Sequence, residues 1–220
     1  YLARKLITDG LEENLEIRNR IEINNTLIHI IPNDTKSQSD IDTAIIVSCK
    51  KSNKAVLNIN DCVYNKNHFK QIKKIQQKEK INFTLFCLGY TGAGPYPQTY
   101  YSPKIDNEIL IKKSQEKKLN FFKRYQKAIN EIDSLYRLPF AGKYMLAGEL
   151  SLLNKYRGVA DALEVKNFDQ KAIILDDDGN SYFDIESEKA YNERQKHYIY
   201  PDYIDKRISF YYFNSNLFFY

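Results

Sequence analysis

Apolar and polar positions alternate through Arg20-Ile-Glu-Ile-Asn24, the period of a half-buried strand. A turn at Asn24-Asn25 leads into a second strand-like run, Leu27-Ile-His-Ile-Ile31. Upstream, Asp9 to Arg20 is polar with scattered Leu and Ile and predicts loop and short helix; Pro32 to Asp40 is a polar loop. Thr43-Ala-Ile-Ile-Val-Ser48 is apolar and β-branched. Lys50 to Lys54 is a turn, and Ala55-Val-Leu-Asn-Ile59 follows it, so the pair reads as a hairpin. From Asn67 to Lys78 the period lengthens, and Phe69, Ile72 and Ile75 fall on one side of a helix. Ile81 to Leu88 is apolar enough for a strand buried on both faces. Asn107 to Leu135 predicts a long amphipathic helical stretch, and Arg137 to Gly142 a short strand and turn. Lys171 to Leu175 predicts another strand, closed by a turn at Asp176 to Gly179. Strand pairs followed by strand–helix–strand alternation predict an α/β fold, a mixed sheet covered by helices.

Composition narrows the class. A chain of 220 residues with 43% hydrophobic and 28% charged positions is long enough for one ordinary core and too apolar for a disordered chain. No apolar run reaches the ~18 residues of a membrane helix, so no membrane partner is expected. Net charge is +5, from 33 Lys+Arg against 28 Asp+Glu, and it is spread along the chain. Lys70, Lys73, Lys74, Lys78 and Lys80 are the nearest approach to a basic stripe, and they read as the solvated face of a helix. That argues against nucleic acid as a partner. Cys49, Cys62 and Cys87 are an odd count without CxxC spacing, which fits a reducing, cytoplasmic setting better than a zinc knuckle or a disulfide framework. The first residue is Tyr1, and Ser209 to Tyr220 is rich in Tyr and Phe. Both ends read as cut from a longer protein, and the aromatic tail reads as a further strand and helix, an oligomer contact or the start of a further region.

Several residues can carry chemistry. Asp61 lies just past the strand Ala55 to Ile59, and the carboxyl ends of strands in α/β sheets are where ligands collect. It reads as a metal ligand or base, or as a residue that caps the next turn. His29, inside an apolar strand, reads as a packed core histidine or as a ligand. His68 opens a polar helix and reads as a surface residue, and His197 has no evident partner. Asp40 and Asp42 share one face of a strand start, as turn residues or as a paired-carboxylate site. Gly89 to Tyr101 holds three of the eight glycines and two of the six prolines. Gly92 and Gly94 permit close backbone approach, while Tyr90, Tyr96, Tyr100 and Tyr101 can wall a pocket. No Gly-Lys-Ser/Thr follows, so this is not a Walker phosphate loop.

Three segments together carry a resemblance: Asp42-Thr-Ala-Ile-Ile-Val47 running into Leu57-Asn-Ile-Asn-Asp-Cys62, Tyr90-Thr-Gly-Ala-Gly-Pro-Tyr-Pro97, and Leu138-Pro-Phe-Ala-Gly-Lys-Tyr144. Their order and spacing resemble the metallo-β-lactamase-fold domain of the CMP-N-acetylneuraminate hydroxylase-like group and its bacterial relatives. The resemblance covers residues 20 to 160. It implies a partial αββα sandwich with mixed sheets flanked by helices, residues 1–165 forming the C-terminal portion of that domain and 166–220 an extension. It implies a metal-dependent hydrolase whose divalent metal is zinc, or else iron or manganese, acting on a small sugar-linked or phosphoester substrate. Asp61 then matches the aspartate that bridges two metals and holds the reacting water, and His29 matches an upstream histidine ligand. Tyr90, Gly92, Gly94 and Tyr96 then wall the substrate pocket, and Lys143 contacts an anionic substrate group. The HxHxDH signature of that superfamily is missing, and the resemblance places it upstream of Tyr1. Its final histidine has no counterpart, since Ala141 and Gly142 occupy the turn. The alternative is a catalytically inactive scaffold or binding module of the same fold.

Overall fold

A computed structural model of the chain describes residues 19–32, 42–59, 62, 64–140, 144–146, 148–176 and 179–196. Six strands make one sheet in sequence order: β1 (Arg20–Ile23), β2 (Thr26–Pro32), β3 (Thr43–Cys49), β4 (Lys54–Asn58), β5 (Asn82–Gly89) and β6 (Tyr136–Phe140). β1 to β4 pair antiparallel, whereas β4–β5 and β5–β6 pair parallel. The parallel crossovers run through α1 (Lys66–Glu79) and α2 (Asn107–Glu131). Two 3₁₀ segments, Gly148–Tyr156 and Ala162–Asn167, follow β6, and a hairpin of β7 (Tyr182–Asp184) and β8 (Lys189–Tyr191) comes last. The α/β class and the mixed sheet expected from the sequence are both present.

Local chemistry sets the boundaries. Asn24 closes the β1–β2 turn at φ 52, a left-handed conformation that asparagine tolerates. α1 begins where the Asn65 side chain accepts from the N–H groups of Asn67 and His68, at 2.8 and 3.0 Å. It ends at Lys80, in the left-handed region at φ 53. α2 is one unbroken helix that stops at Glu131, because Ile132 is extended; Ile132 and Leu135, expected in the helix, lie in the link to β6.

The helices cover one face of the sheet. Phe69 and Ile72 of α1 and Tyr125 and Ala128 of α2 are packed with Ile46, Leu57, Phe86 and Leu88 in one core. Burying each large apolar side chain contributes about 2 kcal/mol. β5 is buried on both faces, as its apolar run predicts. A register shift against β4 at Ala55/Val56 breaks its alternation, so Phe83 and Phe86 both join the helix-side core while Leu85 and Cys87 face the other side.

Among the described residues, that other face is only partly covered. Phe183, Ile185 and Ala190 of the final hairpin pack over Leu85, Cys87 and Ile173. Toward β1–β3, Ile23, Ile45 and Val47 are exposed. The strand expected over Lys171 to Leu175 is a single parallel bridge, Arg137 to Ala172. Arg137 N–H donates to Lys171 O and accepts Ile173 N–H on its own carbonyl, but Ile174 O then accepts from Arg194 N–H, which draws the segment off the sheet edge. A buried cluster locks this corner: Arg137 Nη1 and Tyr125 Oη donate to the two Asp169 oxygens at 2.8 and 2.9 Å.

Candidate functional site

β4, β5 and β6 are adjacent and parallel, so their carboxyl ends lie side by side at one edge. The three segments singled out in the sequence all leave the sheet there. The first exits through Asn58 and Ile59, with Ile59 N–H on Cys87 O and the buried Cys62 donating its N–H to Ile59 O. Asp61 lies outside the described residues, as do Asp40, Lys143 and His197. The second exit is the loop after Gly89. The third leaves β6 at Phe140 and re-enters the described chain at Tyr144.

The loop is folded around its own carbonyls. Gly94 O accepts Gln98 Nε2 at 2.9 Å and Tyr144 Oη at 2.8 Å, tying the second exit to the third. Gln98 Nε2 also donates to Tyr144 Oη at 2.7 Å. Tyr96 O accepts Lys117 Nζ at 2.8 Å, which ties the loop to α2. Gly92 is required by close approach: a Cβ there would stand 2.2 Å from Phe121 Cζ of α2. Tyr90 is buried and belongs to the helix-side core. Tyr96 is partly exposed, its ring edge-on to Tyr100 and Tyr101 at 5.4 and 6.3 Å. Two buried polar atoms of this loop, Thr91 Oγ1 and Gln98 Oε1, have no hydrogen-bond partner among the described residues.

Between the loop and α2 lies a cleft of about 280 Å³, lined by Tyr96, Lys113, Glu116, Lys117, Asn120, Phe121 and Arg124. The six helical residues recur at spacings of three and four and so share one face. Lys113 Nζ meets Glu116 Oε2 at 2.8 Å. The Arg124 guanidinium lies over the Phe121 and Tyr64 rings, 5.3 and 5.8 Å from their centroids. Lys117 and Arg157 both approach the Tyr144 ring, at 5.7 and 5.3 Å. Burial, and then the neighbouring Arg157 charge, lower the Lys117 pKa from its ordinary value. The arrangement is a partly desolvated cationic surface beside aromatic rings, which favours an anionic ligand.

Of the sequence-predicted wall residues, Tyr96 lines this cleft, Gly92 and Gly94 touch its lining residues Phe121 and Lys117, and Tyr90 is buried in the helix-side core. His29 lies elsewhere, with two strands between β2 and β5. It is buried, and its Nε2 stands 3.4 Å from Glu79 Oε1 at the end of α1. His68 is not a surface residue: it is fully buried with Phe69 and Ile72, because it lies on the face of α1 turned to the sheet. All three cysteines are free thiols. Among the described residues no group of three or more His, Cys, Asp or Glu side chains is placed to hold a metal ion. Lys113, Lys117 and Arg124 were not singled out by the sequence reading. Their helical spacing was legible, but that they face the glycine loop was not.

No protein-family model, curated protein or solved structure matches this chain.

Proposed function

We propose that this chain is the substrate-side portion of a metal-dependent, hydrolase-like enzyme of the metallo-β-lactamase type, taking a small sugar-linked or phosphoester substrate. The observation that carries this reading is the convergence of three sequence segments at the carboxyl edge of β4, β5 and β6. The sheet face that the described residues leave half-covered supports it too. Ile28, Ile45, Val47 and Val56 point away from the helices, as they would where a second sheet packs in an αββα sandwich.

The described residues do not by themselves make a metal-ligand set. In this reading Asp61 supplies the carboxylate, while His29 is held against Glu79 near the amino end of β5, apart from the carboxyl edge where the site lies. The chain's own share of the work is to bind and orient the substrate. Gly92 lets α2 press against the loop, the Gly94 and Tyr96 carbonyls fix Lys117, and Tyr96 offers a ring to a sugar.

A second reading, the same fold used as a binding module without metal, is favoured by the lack of any such ligand cluster among the described residues and by Ala141-Gly142 in the turn where a final histidine is expected. Metal analysis of the full-length protein, wild type against Asp61→Ala, separates the two. The enzyme reading expects bound zinc, iron or manganese that Asp61→Ala loses. Equal metal content in both proteins removes Asp61 from the site and leaves the binding module.

A further inference from the structure

We propose that the cleft between the glycine loop and α2 is a receptor for a phosphate or diphosphate group of a small ligand, with Lys113, Lys117 and Arg124 as its binding cations. The inference rests on the reading that the glycine loop walls a ligand cleft. It does not depend on any metal. Lys113, Lys117 and Arg124 line the cleft with a single carboxylate, Glu116, which is engaged by Lys113. Neither Lys117 nor Arg124 makes an ion pair with a carboxylate among the described residues, so two positive charges stay without an acidic counterpart and call for a dianion. The guanidinium of Arg124 is held over two aromatic rings, a fixed planar fork suited to paired phosphate oxygens. Lys117 is anchored by two backbone carbonyls, Tyr96 O at 2.8 Å and Gly94 O at 3.4 Å, which hold its charge in place without neutralising it.

Size and shape select the class of ligand. A cleft of about 280 Å³ matches a small molecule or a fragment of one. It is one concave spot on one helix face, whereas a nucleic-acid backbone needs a run of cations along a groove. Tyr96 stands at the rim, where a ring attached to the phosphate would lie.

The test is isothermal titration of the full chain with inorganic pyrophosphate. Saturable binding is expected in the wild type. Lys113→Gln/Arg124→Gln should weaken it by about tenfold or more, since hydrogen bonds to charged groups are the strong ones. Glu116→Gln should tighten it by removing the competing carboxylate, a gain that misfolding cannot imitate. Lys112→Gln/Lys123→Gln, two exposed lysines outside the cleft, should bind as wild type does. Metal content of Lys113→Gln/Arg124→Gln should equal that of the wild type, so failure of this site and failure of the metal reading are seen separately. Absence of wild-type binding, or equal affinity in Lys113→Gln/Arg124→Gln, overturns the proposal. So does a single-stranded oligonucleotide that displaces pyrophosphate with a steep salt dependence, which would make the cleft part of a nucleic-acid surface.

Discussion

The Arg194 guanidinium grips the Asp161 carboxylate at both oxygens, Nη2 to Oδ1 at 2.7 Å and Nη1 to Oδ2 at 3.0 Å, with both side chains buried. Asp161 also accepts Leu163 N–H and caps the second 3₁₀ segment, while Arg194 N–H donates to Ile174 O. One ion pair thus joins the chain after β8 to the segment after β6. Removing one partner of a buried pair leaves the other charge desolvated, at a cost of about 3 kcal/mol or more. Arg194→Met should therefore lower the urea midpoint by that equivalent. A loss below about 0.5 kcal/mol, the size of an exposed pair, would mean that water already reaches Asp161.

His29 gives a pH dependence with a definite sign. Burial lowers its pKa below the ordinary 6.5 and outweighs the opposing pull of the Glu79 carboxylate; the charges of Arg20 and Lys78 push the same way as burial. A group with a depressed folded pKa contributes stability that is present above its unfolded pKa and lost as pH falls through the folded one. The wild type should lose stability as pH falls below 6.5, and His29→Phe should lose less over the same fall in paired urea melts. An NMR titration of the His29 ring should show its midpoint below 6.5, and a midpoint above that value would reverse the sign.

The three cysteines should differ in reactivity in a definite order. Cys49 is partly exposed, and hydrogen bonds from the Ser52 hydroxyl and the Ser52 and Lys51 amides lower its thiol pKa. Burial pushes Cys87 up to about 12 from 9.0. Because the thiolate is the reacting form, iodoacetamide at neutral pH should label Cys49 first and leave Cys87 unmodified in the native protein. Peptide mapping by mass spectrometry reads the order directly. The linked stability runs opposite to that of His29. A raised folded pKa contributes stability that is full below pH 9.0 and lost as pH rises toward 12, so the wild type should weaken more than Cys87→Ala across that window.

How much of this was legible can be judged from particular residues. The alternation in Ile21–Ile23 and Ile28–Ile30 and the β-branched run at Thr43–Val47 state the period of the sheet, because one face meets helices and the other does not. The apolar stripe Phe69–Ile72–Ile75 states the face of α1. It also misleads about His68, which sits next to Phe69 on the buried side and carries no apolar signal of its own. The hairpin at Tyr182–Tyr191 was missed because its strands are only three residues each and too short for a period to show. Lys171–Leu175 looks like a strand by composition, yet its fate is set by Arg194 N–H taking Ile174 O, a bond with a distant residue. For the site, close backbone approach was expected at Gly92 and Gly94; Gly92 has it, against Phe121, whereas a Cβ on Gly94 would meet nothing within 4 Å. That Phe121 is what approaches depends on how α2 packs, and spacing along the chain does not contain that information.

Two glycines separate close approach to a side chain from close approach to backbone. A Cβ on Gly92 would meet the Phe121 ring at 2.2 Å, and one on Gly158 would meet Ser114 O at 2.4 Å. A ring can shift within the half-open cleft, but a helix carbonyl cannot move without breaking its own turn. Gly158 also sits at φ +63, where any side chain adds strain. Gly92→Ala should cost about 1–3 kcal/mol by overpacking. Combining it with Phe121→Leu should recover part of that loss, a non-additive coupling that a double-mutant cycle measures. Gly158→Ala should cost more than Gly92→Ala, and Ser114→Ala should not relieve it, because the obstructing atom is the Ser114 main-chain oxygen. If Phe121→Leu leaves the Gly92→Ala penalty untouched, the loop is not held by α2 at this contact, and the wall it gives the cleft must be set by the Gly94–Tyr144 hydrogen bond instead.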